Sequence, residues 1–366
     1  MKAAVLHEPG KAFVIEEVTL DAPREQEVLV RIAASGVCRS DHHVMTGATM
    51  HPMPVVCGHE GAGIVEEIGR GVTSVKPGDH VVLSWAPCCG VCFFCRSGLP
   101  AQCEAFLGAI WAGTMIDGTT RLTLKGRPVY HYTSLATFAE AAVVHESCCI
   151  PVRRDVPFAA AALVGCAVAT GVGAALFRAK VKPGDSVAVF GCGGVGMNVI
   201  QGCRLAGAAT IIAVDVSAAK LALARRFGAT NMVDATDGDP VAAVRDLTAG
   251  FGVDYAFEAI GKPGTMAAAL DSARRGGTVV LVGLGAHGES LSLGAGTFTR
   301  SDKIVMGAYY GGCDPRRDFP VLLDHAAEGR LKLDELVSRR RPLEETNEAF
   351  ADLEAGEALR TVIVFD

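Results

Sequence analysis

Five cysteines stand within the stretch Ala86–Cys103, which reads APCCGVCFFCRSGLPAQC. Four of them follow the spacing C-x2-C-x2-C-x7-C: Cys89, Cys92, Cys95 and Cys103. Tetrahedral zinc binds four thiolates, and two-residue spacers let successive cysteines turn toward one centre. Because four protein ligands leave no position for water or substrate, the spacing predicts a structural zinc in a lobe over residues 86–104. Cys88 lies outside the set.

Two other uses of this cysteine loop are weaker. A redox Cys-x-x-Cys pair usually precedes a helix in a thioredoxin-like unit, and no such pattern surrounds the loop. A disulfide framework fits poorly with an odd total of thirteen cysteines. The N-terminal residues MKAAVLHEPGKAFVIEE lack the apolar core of a signal peptide, so we expect a cytoplasmic protein, where thiols stay reduced.

A glycine loop, Gly191-x-Gly193-x-x-Gly196, lies between the strand-like run SVAVF and a helical run. The first glycine permits a tight turn, the second lets backbone approach a pyrophosphate, and the third allows close packing of helix on strand. The pyrophosphate would then meet the N–H groups of a helix N-terminus. Asp215 ends the next predicted strand, where a carboxylate binds an adenosine ribose and repels a 2′-phosphate, so we expect NAD rather than NADP. The alternative is a tight turn with a chance aspartate.

Three further segments carry residues that can bind metals. GVCRSDHH contains Cys38, Asp41, His42 and His43; CGHEGAG contains His59 and Glu60; LVGCAVATG contains Cys166. Thiolate and imidazole are the usual ligands of zinc. Spacing alone cannot bring these segments together, however, and a buried cysteine is often plain core filler.

The elements that must position these residues change character along the chain. Short β-branched runs separated by glycine and proline fill the first part, for example EVLVRIAASG and HVVLSW. From about Ala167, strands alternate with helices, which indicates a parallel sheet covered on both faces. We predict an α/β protein with a mostly-β catalytic domain over 1–167, a doubly wound Rossmann cofactor domain over 168–308, and a return segment over 309–366 that completes the first domain.

Composition argues against two classes of function. A net charge of −6 over 366 residues gives no basic patch for nucleic acid or for a membrane surface. The uncharged run Val156–Phe177 is long enough to span a bilayer. It is dominated by alanine and glycine, so we expect a buried helix instead.

Taken together, these segments resemble one known family. Zinc-dependent alcohol dehydrogenases of the medium-chain dehydrogenase/reductase family carry similar motifs in the same order: GVCRSDHHVMTG, GHEGAGIVEEIG, the four-cysteine loop, GTMIDGTTR, LVGCAVATG, GCGGVG and LRTVIVFD. The match runs nearly end to end and resembles the liver-type and actinobacterial-type branch. It implies a GroES-like fold for the catalytic domain and an oxidoreductase that depends on zinc and NAD.

The resemblance also implies a catalytic zinc bound by Cys38, His59 and Cys166, with its fourth position open. Glu60 would lie behind these ligands or bind the zinc at times, and Asp41 would hold the other ring nitrogen of His59. In such an enzyme the metal lowers the pKa of the bound alcohol, and the zinc-bound alkoxide passes hydride to nicotinamide.

The proton would leave through Ser40, the ribose hydroxyls of the nicotinamide half, and His43 at the surface, whereas His42 has no role in the family. Arg39 and Arg360 would neutralise the pyrophosphate. The full set of cofactor-binding residues that we expect is Arg39, Thr170, Gly191, Gly193, Gly194, Val195, Gly196, Asp215, Lys220 and Arg360.

By the same resemblance, five side chains wall the substrate pocket: Thr49, Trp85, Tyr132, Leu284 and Tyr309. They are large and mostly apolar, so we expect a primary or aromatic alcohol that is oxidised reversibly to its aldehyde. The segment Cys103–Gly113 has no basic residue for a glutathione carboxylate. This absence argues against a glutathione-dependent formaldehyde dehydrogenase, which stays an alternative. A relative that keeps NAD bound and uses an external electron acceptor is another alternative.

Two hypotheses lie outside this activity. A zinc or redox sensor would need neither the dinucleotide loop nor a second ligand set. A zinc-free quinone or enoyl reductase would need neither cysteine set. We expect instead two zinc ions per chain, a small alcohol or aldehyde as substrate, and a homodimer or homotetramer.

Overall fold

The computed structural model describes residues 1–286, 288–356 and 358–365. The chain divides into two compact units, Met1–Cys166 with Asp314–Asp366, and Ala167–Cys313. The first unit is therefore discontinuous in sequence, and the second is inserted into it.

The described residues form strands that range from two to ten residues in length. They are β1 (Lys2–Leu6), β2 (Val14–Glu17), β3 (Thr19–Leu20), β4 (Glu27–Gly36), β5 (Val55–Val56), β6 (Glu60–Ile68), β7 (His80–Leu83), β8 (Leu122–Leu124), β9 (Arg127–His131), β10 (Ala141–His145), β11 (Cys149–Pro151), β12 (Ser186–Phe190), β13 (Thr210–Asp215), β14 (Asn231–Asp234), β15 (Val253–Glu258), β16 (Ala273–Leu281), β17 (Ile304–Gly307), β18 (Val337–Arg341) and β19 (Arg360–Val364).

The α-helices are α1 (Arg39–Thr46), α2 (Phe93–Arg96), α3 (Glu104–Ala112), α4 (Phe158–Ala162), α5 (Ala167–Gly173), α6 (Gly194–Leu205), α7 (Ala218–Phe227), α8 (Pro240–Asp246), α9 (Pro263–Ser272), α10 (Ala295–Ser301), α11 (Pro315–Ala327) and α12 (Thr346–Ala355). A π-helical segment, Ala174–Ala179, extends α5. Single 3₁₀ turns lie at Pro100–Gln102, Tyr132–Ser134, Glu146–Cys148, Leu163–Gly165, Tyr309–Gly312, Asp334–Leu336 and Leu343–Glu345.

The strands of the first unit form mostly antiparallel sheets. One runs in the order β2-β1-β5-β9-β8-β3, and the other in the order β11-β7-β6-β4-β19-β18, with β10 also paired to β4. Alternate residues of β4, namely Val28, Val30 and Ile32, are buried, which is the pattern of a strand with one face on the core. β19 pairs antiparallel with β4, so the return segment completes a sheet that the N-terminal part begins.

The core of the first unit holds α12 in place. Phe350 of this helix stacks on Phe13 with ring centroids 5.2 Å apart, and Phe138 lies edge-on to both rings. Aromatic stacks of this kind bury large apolar surfaces in a defined geometry. A helix near the end of the sequence is thereby fixed to elements near its beginning.

The second unit contains a parallel sheet in the order β14-β13-β12-β15-β16-β17. The chain moves outward from β12 to one edge and then from β15 to the other edge, which is the doubly wound order of dinucleotide-binding Rossmann domains. Ligands bind such sheets at the carboxyl ends of the strands where the order reverses, here at β12 and β15. The predicted α/β class is confirmed.

The apolar run Val156–Phe177 forms buried helices. Gly171 of α5 packs so closely on α6 that a Cβ atom there would lie 2.5 Å from the Val195 carbonyl oxygen, which explains the small residues of this segment. Within the described residues, no single helix is long and apolar enough to cross a membrane. One bent pair, Phe158–Gly165 with Ala167–Ala179, has the length and composition to do so.

The limits of the units differ slightly from the predicted domain limits. The structure begins the second unit at Ala167 and ends it at Cys313, whereas the sequence placed these limits after residues 167 and 308. The later end has a packing reason, because Gly311 lies directly on α5. A Cβ atom at Gly311 would lie 2.5 Å from the Ala169 carbonyl oxygen.

Candidate metal centres and active site

The four spaced cysteines converge on one point. Their sulfur atoms all lie within 4.8 Å of one another. The Sγ atoms of Cys89 and Cys95 are 4.0 Å apart, and those of Cys92 and Cys103 are 3.9 Å apart. Four sulfurs at zinc-bond length from one tetrahedral centre would be about 3.8 Å apart. The geometry therefore fits a zinc ion that is fully enclosed by protein ligands.

Local backbone prepares two of these sulfurs for a metal. Hydrogen bonds from the backbone N–H groups of Cys95 and Glu104 lower the pKa of Cys92 to about 6. N–H groups of Val91 and Cys92 likewise lower the pKa of Cys89. Two thiols of the set thus lose their protons easily, and the thiolate is the form that binds zinc. Cys88 does not belong to the group, in agreement with the spacing.

A second group of metal-binding atoms comes from distant segments. Cys38 is the N-cap of α1, His59 directly precedes β6, and Cys166 follows the 3₁₀ turn Leu163–Gly165. Their ligand atoms and those of Glu60 lie within 4.8 Å of one another, and all four residues are buried. A hydrogen bond with Cys166 lowers the pKa of Cys38 well below its ordinary value. A buried thiolate beside an imidazole and a second thiol is a donor set that suits zinc.

Asp41 fixes the orientation of His59. Its Oδ1 atom lies 3.1 Å from His59 Nδ1 and accepts a hydrogen bond from the Gly58 N–H at 2.9 Å. Its Oδ2 atom accepts from the Cys38 N–H at 3.3 Å. Because a carboxylate only accepts, Nδ1 of His59 carries the proton and Nε2 is left for a metal. This is the contact that the resemblance implied.

Glu60 and Arg360 form a buried ion pair behind the second group. Arg360 donates from Nη2 to Glu60 Oε2 and, at 3.0 Å, to the Val37 carbonyl oxygen. Burial raises the pKa of Glu60 to about 7, although Arg360 opposes the rise. Glu60 Oε1 has no hydrogen-bond partner among the described residues. The structure thus places Arg360 on Glu60, and its contact with a pyrophosphate stays a prediction.

Helix α1 carries the residues expected to move a proton. Ser40 Oγ lies 3.8 Å from Cys38 Sγ, and the Tyr132 hydroxyl donates to the Ser40 carbonyl oxygen at 3.3 Å. His43 is half-buried, and burial lowers its pKa, as do the positive charges of His42 and Arg39. Arg39 is exposed and donates to the Leu353 carbonyl oxygen at 3.4 Å.

The expected pocket residues are divided between the two units. Tyr132 lies edge-on to the His59 ring, with centroids 5.4 Å apart. Trp85 is buried and Thr49 is partly buried in the same unit. Leu284 and Tyr309 are exposed residues of the second unit. The five-residue wall therefore stays a prediction.

The glycine loop has the geometry that its spacing predicts. Gly191 has a φ of +94°, and a Cβ atom there would lie 2.5 Å from Ile260 Cγ1. A Cβ atom on Gly196 would lie 1.7 Å from the Gly191 carbonyl oxygen, whereas one on Gly193 would meet nothing within 4 Å. The middle glycine therefore faces open space, as close approach of a pyrophosphate requires. Gly194 and Val195 form the first turn of α6.

Asp215 is held beside this loop. Its Oδ2 atom accepts from the Cys192 N–H at 2.7 Å and its Oδ1 atom from the Ser217 N–H at 3.0 Å. The carboxylate keeps further lone pairs for ribose hydroxyls. Lys220 lies on α7 and Thr170 on α5, and their contacts with a cofactor stay predictions.

Sequence reasoning missed three contacts at this site. They are the Glu60–Arg360 ion pair, the Tyr132–Ser40 hydrogen bond, and a hydrogen bond between His42 and Glu354. Each joins segments far apart in the chain, and the only signal in the sequence was an ionisable or hydroxyl group inside a motif.

Comparison with known proteins agrees with this geometry. Residues 24–154 match the family "Alcohol dehydrogenase GroES-like domain", and residues 194–328 match the family "Zinc-binding dehydrogenase". The chain is 42% identical over 370 residues to the S-(hydroxymethyl)glutathione dehydrogenase of Escherichia coli O6:H1. The aligned region covers 99% of each of the two proteins.

Solved structures show the same likeness over the whole chain. An alcohol dehydrogenase zinc-binding domain protein from Burkholderia ambifaria has a TM-score of 0.95 at 36% identity, covering 100% of this chain and 98% of that one. Benzyl alcohol dehydrogenase from Acinetobacter calcoaceticus has a TM-score of 0.94 at 32% identity, covering 100% and 99%. The chain therefore belongs to the zinc-dependent alcohol dehydrogenases of the medium-chain dehydrogenase/reductase family, and its cofactors are zinc and NAD.

Proposed function

We propose that the protein oxidises a primary or aromatic alcohol reversibly to its aldehyde, with NAD as the hydride acceptor. The contrast between the two ligand sets carries this proposal. Four cysteines would fill the coordination of one zinc. Cys38, His59 and Cys166 would leave a tetrahedral position for an alcohol oxygen, because Glu60, the fourth residue of their group, is paired with Arg360. When bound there, zinc makes an alcohol hydroxyl more acidic, and NAD supplies the hydride chemistry.

The protein's own residues hold and move the proton. Asp41 keeps His59 in the tautomer that leaves Nε2 free, and Tyr132 holds the backbone of Ser40. We assign Ser40 Oγ as the first acceptor of the hydroxyl proton and the His43 ring as the group that passes it to water. The lowered pKa of His43 keeps this ring neutral, and so able to accept, toward lower pH.

The cofactor's phosphates and adenosine ribose meet the glycine loop in this proposal. The N–H groups at the start of α6 would face the pyrophosphate, and the open space over Gly193 lets it approach. Asp215 would accept hydrogen bonds from the adenosine ribose, and its charge would repel a 2′-phosphate.

Asp215→Ala tests the assignment of the ribose site. We expect the KM for NAD to rise about tenfold and the preference for NAD over NADP to fall, because the variant loses both the hydrogen bonds and the repulsion. Steady-state kinetics with both cofactors measures this. Asp234→Ala, at the end of the neighbouring strand β14, is a matched control. An unchanged preference in Asp215→Ala would remove this residue from the ribose site.

The substrate class is supported by apolar side chains and by one missing charge. Tyr132 is a large, buried ring beside His59 of the candidate catalytic centre. Trp85 is a large, buried ring of the same unit. Helix α3, which directly follows Cys103, has no basic residue to bind a glutathione carboxylate. The likeness to a benzyl alcohol dehydrogenase at 32% identity points the same way.

The likeness to S-(hydroxymethyl)glutathione dehydrogenases favours a second candidate, oxidation of the adduct of glutathione and formaldehyde. A substrate screen separates the two. We expect benzyl alcohol and straight-chain primary alcohols to give a kcat/KM at least about tenfold above that of the adduct, as differential contacts of about 1.4 kcal/mol would produce. A strong preference for the adduct would overturn the alcohol assignment. Turnover with an artificial electron acceptor and no added NAD would instead indicate a permanently bound cofactor.

We further propose a cytoplasmic enzyme that forms a homodimer or homotetramer. In the part of the chain that the structure describes, the cysteines form no disulfide bond, as expected for a reducing compartment. Exposed apolar residues of the second unit, such as Ile304 on the edge strand β17, are compatible with self-association.

A further inference from the structure

Glu258, at the carboxyl end of β15, is a buried acid that belongs to none of the motifs described above. The residue is 0% exposed. Its Oε1 atom accepts from the N–H groups of Ile260 at 3.0 Å and Gly261 at 2.8 Å, and from the Thr265 hydroxyl at 2.6 Å. Its Oε2 atom accepts from the Gly261 N–H at 3.1 Å. One carboxylate thus closes the turn after β15 and joins it to the first turn of α9.

The same residue holds the start of the turn that follows β16. The Glu258 carbonyl oxygen accepts from the N–H groups of Val282 at 2.8 Å and Gly283 at 2.9 Å. The side chain lies directly against that turn, because a Cβ atom on Gly283 would be 2.7 Å from Glu258 Oε2. The two turns also touch each other, since a Cβ atom on Gly261 would be 2.3 Å from the Leu284 carbonyl oxygen. Glu258 therefore fixes two neighbouring turns as one block.

This block packs against the glycine loop. Glu258 pairs with Phe190, the last residue of β12, and the Ala259 N–H donates to the Phe190 carbonyl oxygen at 2.9 Å. The next residue along β12 is Gly191, where a Cβ atom would be 2.5 Å from Ile260 Cγ1. The turns after β12 and β15 thus lie side by side at the edge of the sheet where dinucleotides bind.

The strand order relates this block to one half of a dinucleotide. Strand β12 lies between β13 and β15, and a dinucleotide crosses the sheet at such a point, with its pyrophosphate at the turn after β12. Asp215, at the end of β13, is the residue that we assign to the adenosine ribose. The other half, which carries the nicotinamide, then extends over the turns after β15 and β16.

We propose that Glu258 is a positioning residue for the nicotinamide half of the cofactor: its carboxylate holds the turns after β15 and β16 in the shape against which that half binds. Because the residue is fully buried, it acts through the backbone of these turns rather than by contact with the cofactor. This inference rests on the proposed function, since it takes the adenosine half to lie at Asp215.

Glu258→Gln tests this role with almost no change in size. In either orientation the new amide nitrogen faces the Gly261 N–H, because that group contacts both carboxylate oxygens, and two donors then oppose each other. We expect the Kd for NADH to rise about tenfold in a fluorescence titration of the zinc-loaded protein. AMP carries only the adenosine half, so its Kd, measured by displacement of NADH, should stay unchanged.

Thr265→Val removes one donor to the carboxylate and keeps the shape of the side chain. Thr265 is only partly buried, so this variant should fold even if Glu258→Gln does not. We expect a smaller loss of the same kind, about threefold in the Kd for NADH, as for a single hydrogen bond. Thr265→Ser should restore the affinity, because it returns the hydroxyl.

Asp254→Asn is the matched control. Asp254 lies at the other end of β15, where its carboxylate accepts from the Ser186 N–H at 2.8 Å, the Ser186 hydroxyl at 2.6 Å and Arg274 Nε at 2.7 Å. The variant thus removes a similar acceptor from the same strand, away from the turns that Glu258 holds. We expect it to lower the melting temperature without changing the Kd for NADH.

Weaker binding of NADH with unchanged binding of AMP supports the proposal. Equal weakening of both ligands, or a lower melting temperature with both Kd values unchanged, would mean that Glu258 only stabilises the fold, and would overturn it. Asp215→Ala tests the proposed function separately, since it should weaken AMP. If AMP binding is unchanged in Asp215→Ala, the assignment of the adenosine half is wrong, and so is the inference built on it. If Asp215→Ala weakens AMP while Glu258→Gln and Thr265→Val bind NADH normally, that assignment stands and the positioning role is refuted.

Discussion

Cys166→Ser is expected to abolish turnover and leave the chain folded. Serine is close to cysteine in size, but its hydroxyl does not ionise at neutral pH and so does not replace a thiolate. The candidate catalytic site of Cys38, His59 and Cys166 therefore loses one of these three metal-binding side chains. Loss of an outer contact to a metal ligand already costs about 10–100-fold, so loss of a ligand should lower kcat/KM more than about 100-fold. Alcohol oxidation and the thermal melting curve are the two measurements.

The control for Cys166→Ser is Cys203→Ser. Cys203 is a fully buried thiol of α6 that belongs to neither metal group, so it meets the same change in polarity. We expect its variant to keep most of the activity. Metal analysis should find two zinc ions in the control and fewer than two in Cys166→Ser. Full activity in Cys166→Ser would show that the catalytic metal is bound elsewhere.

Cys92→Ser is expected to cost stability before it costs chemistry. Cys92 is the N-cap of α2, its pKa is lowered to about 6, and its sulfur lies 3.9 Å from that of Cys103. Without the Cys92 thiolate, the four-cysteine site no longer holds its zinc firmly. The loop over residues 86–104 then loses the metal that crosslinks it. A loss of about 3 kcal/mol would lower the melting temperature by about 6–12 °C in a domain of this size.

Cys88→Ser is the control for Cys92→Ser, because Cys88 is a buried cysteine of the same loop that lies outside the metal group. We expect the melting temperature of Cys88→Ser to stay close to that of the unchanged protein. Kinetics recorded well below the melting transition should show that Cys92→Ser retains turnover. An unaltered melting temperature together with lost turnover would mean that the two zinc ions have been assigned the wrong way round.

The two metal groups differ in how far sequence alone can define them. Cys89 to Cys103 form a local set, so spacing and the reach of short backbone segments suffice. Cys38, His59 and Cys166 come from three separate segments, and only resemblance to a family joined them in advance. The glycine loop was predictable for the same local reason, since strand, turn and helix follow one another directly.

Polar contacts between distant segments could not be predicted from the sequence alone. His42 and Glu354 are 312 positions apart, and Glu60 and Arg360 are 300 positions apart. The partner of a charged residue cannot be read from the sequence, because tertiary packing decides which opposite charge lies within hydrogen-bond distance. Arg121 shows this as well, since it ends the motif GTMIDGTTR and is fully buried in an ion pair with Glu27.

The Glu60–Arg360 pair has a consequence for the order in which the protein matures. Every candidate zinc ligand precedes Ala167 in the chain, whereas Arg360 is the first residue of β19, which pairs with β4. During synthesis the N-terminal part emerges and begins to fold first. The partner of the buried Glu60 carboxylate is therefore supplied last, and this carboxylate has its counter-charge only once β19 is inserted beside β4.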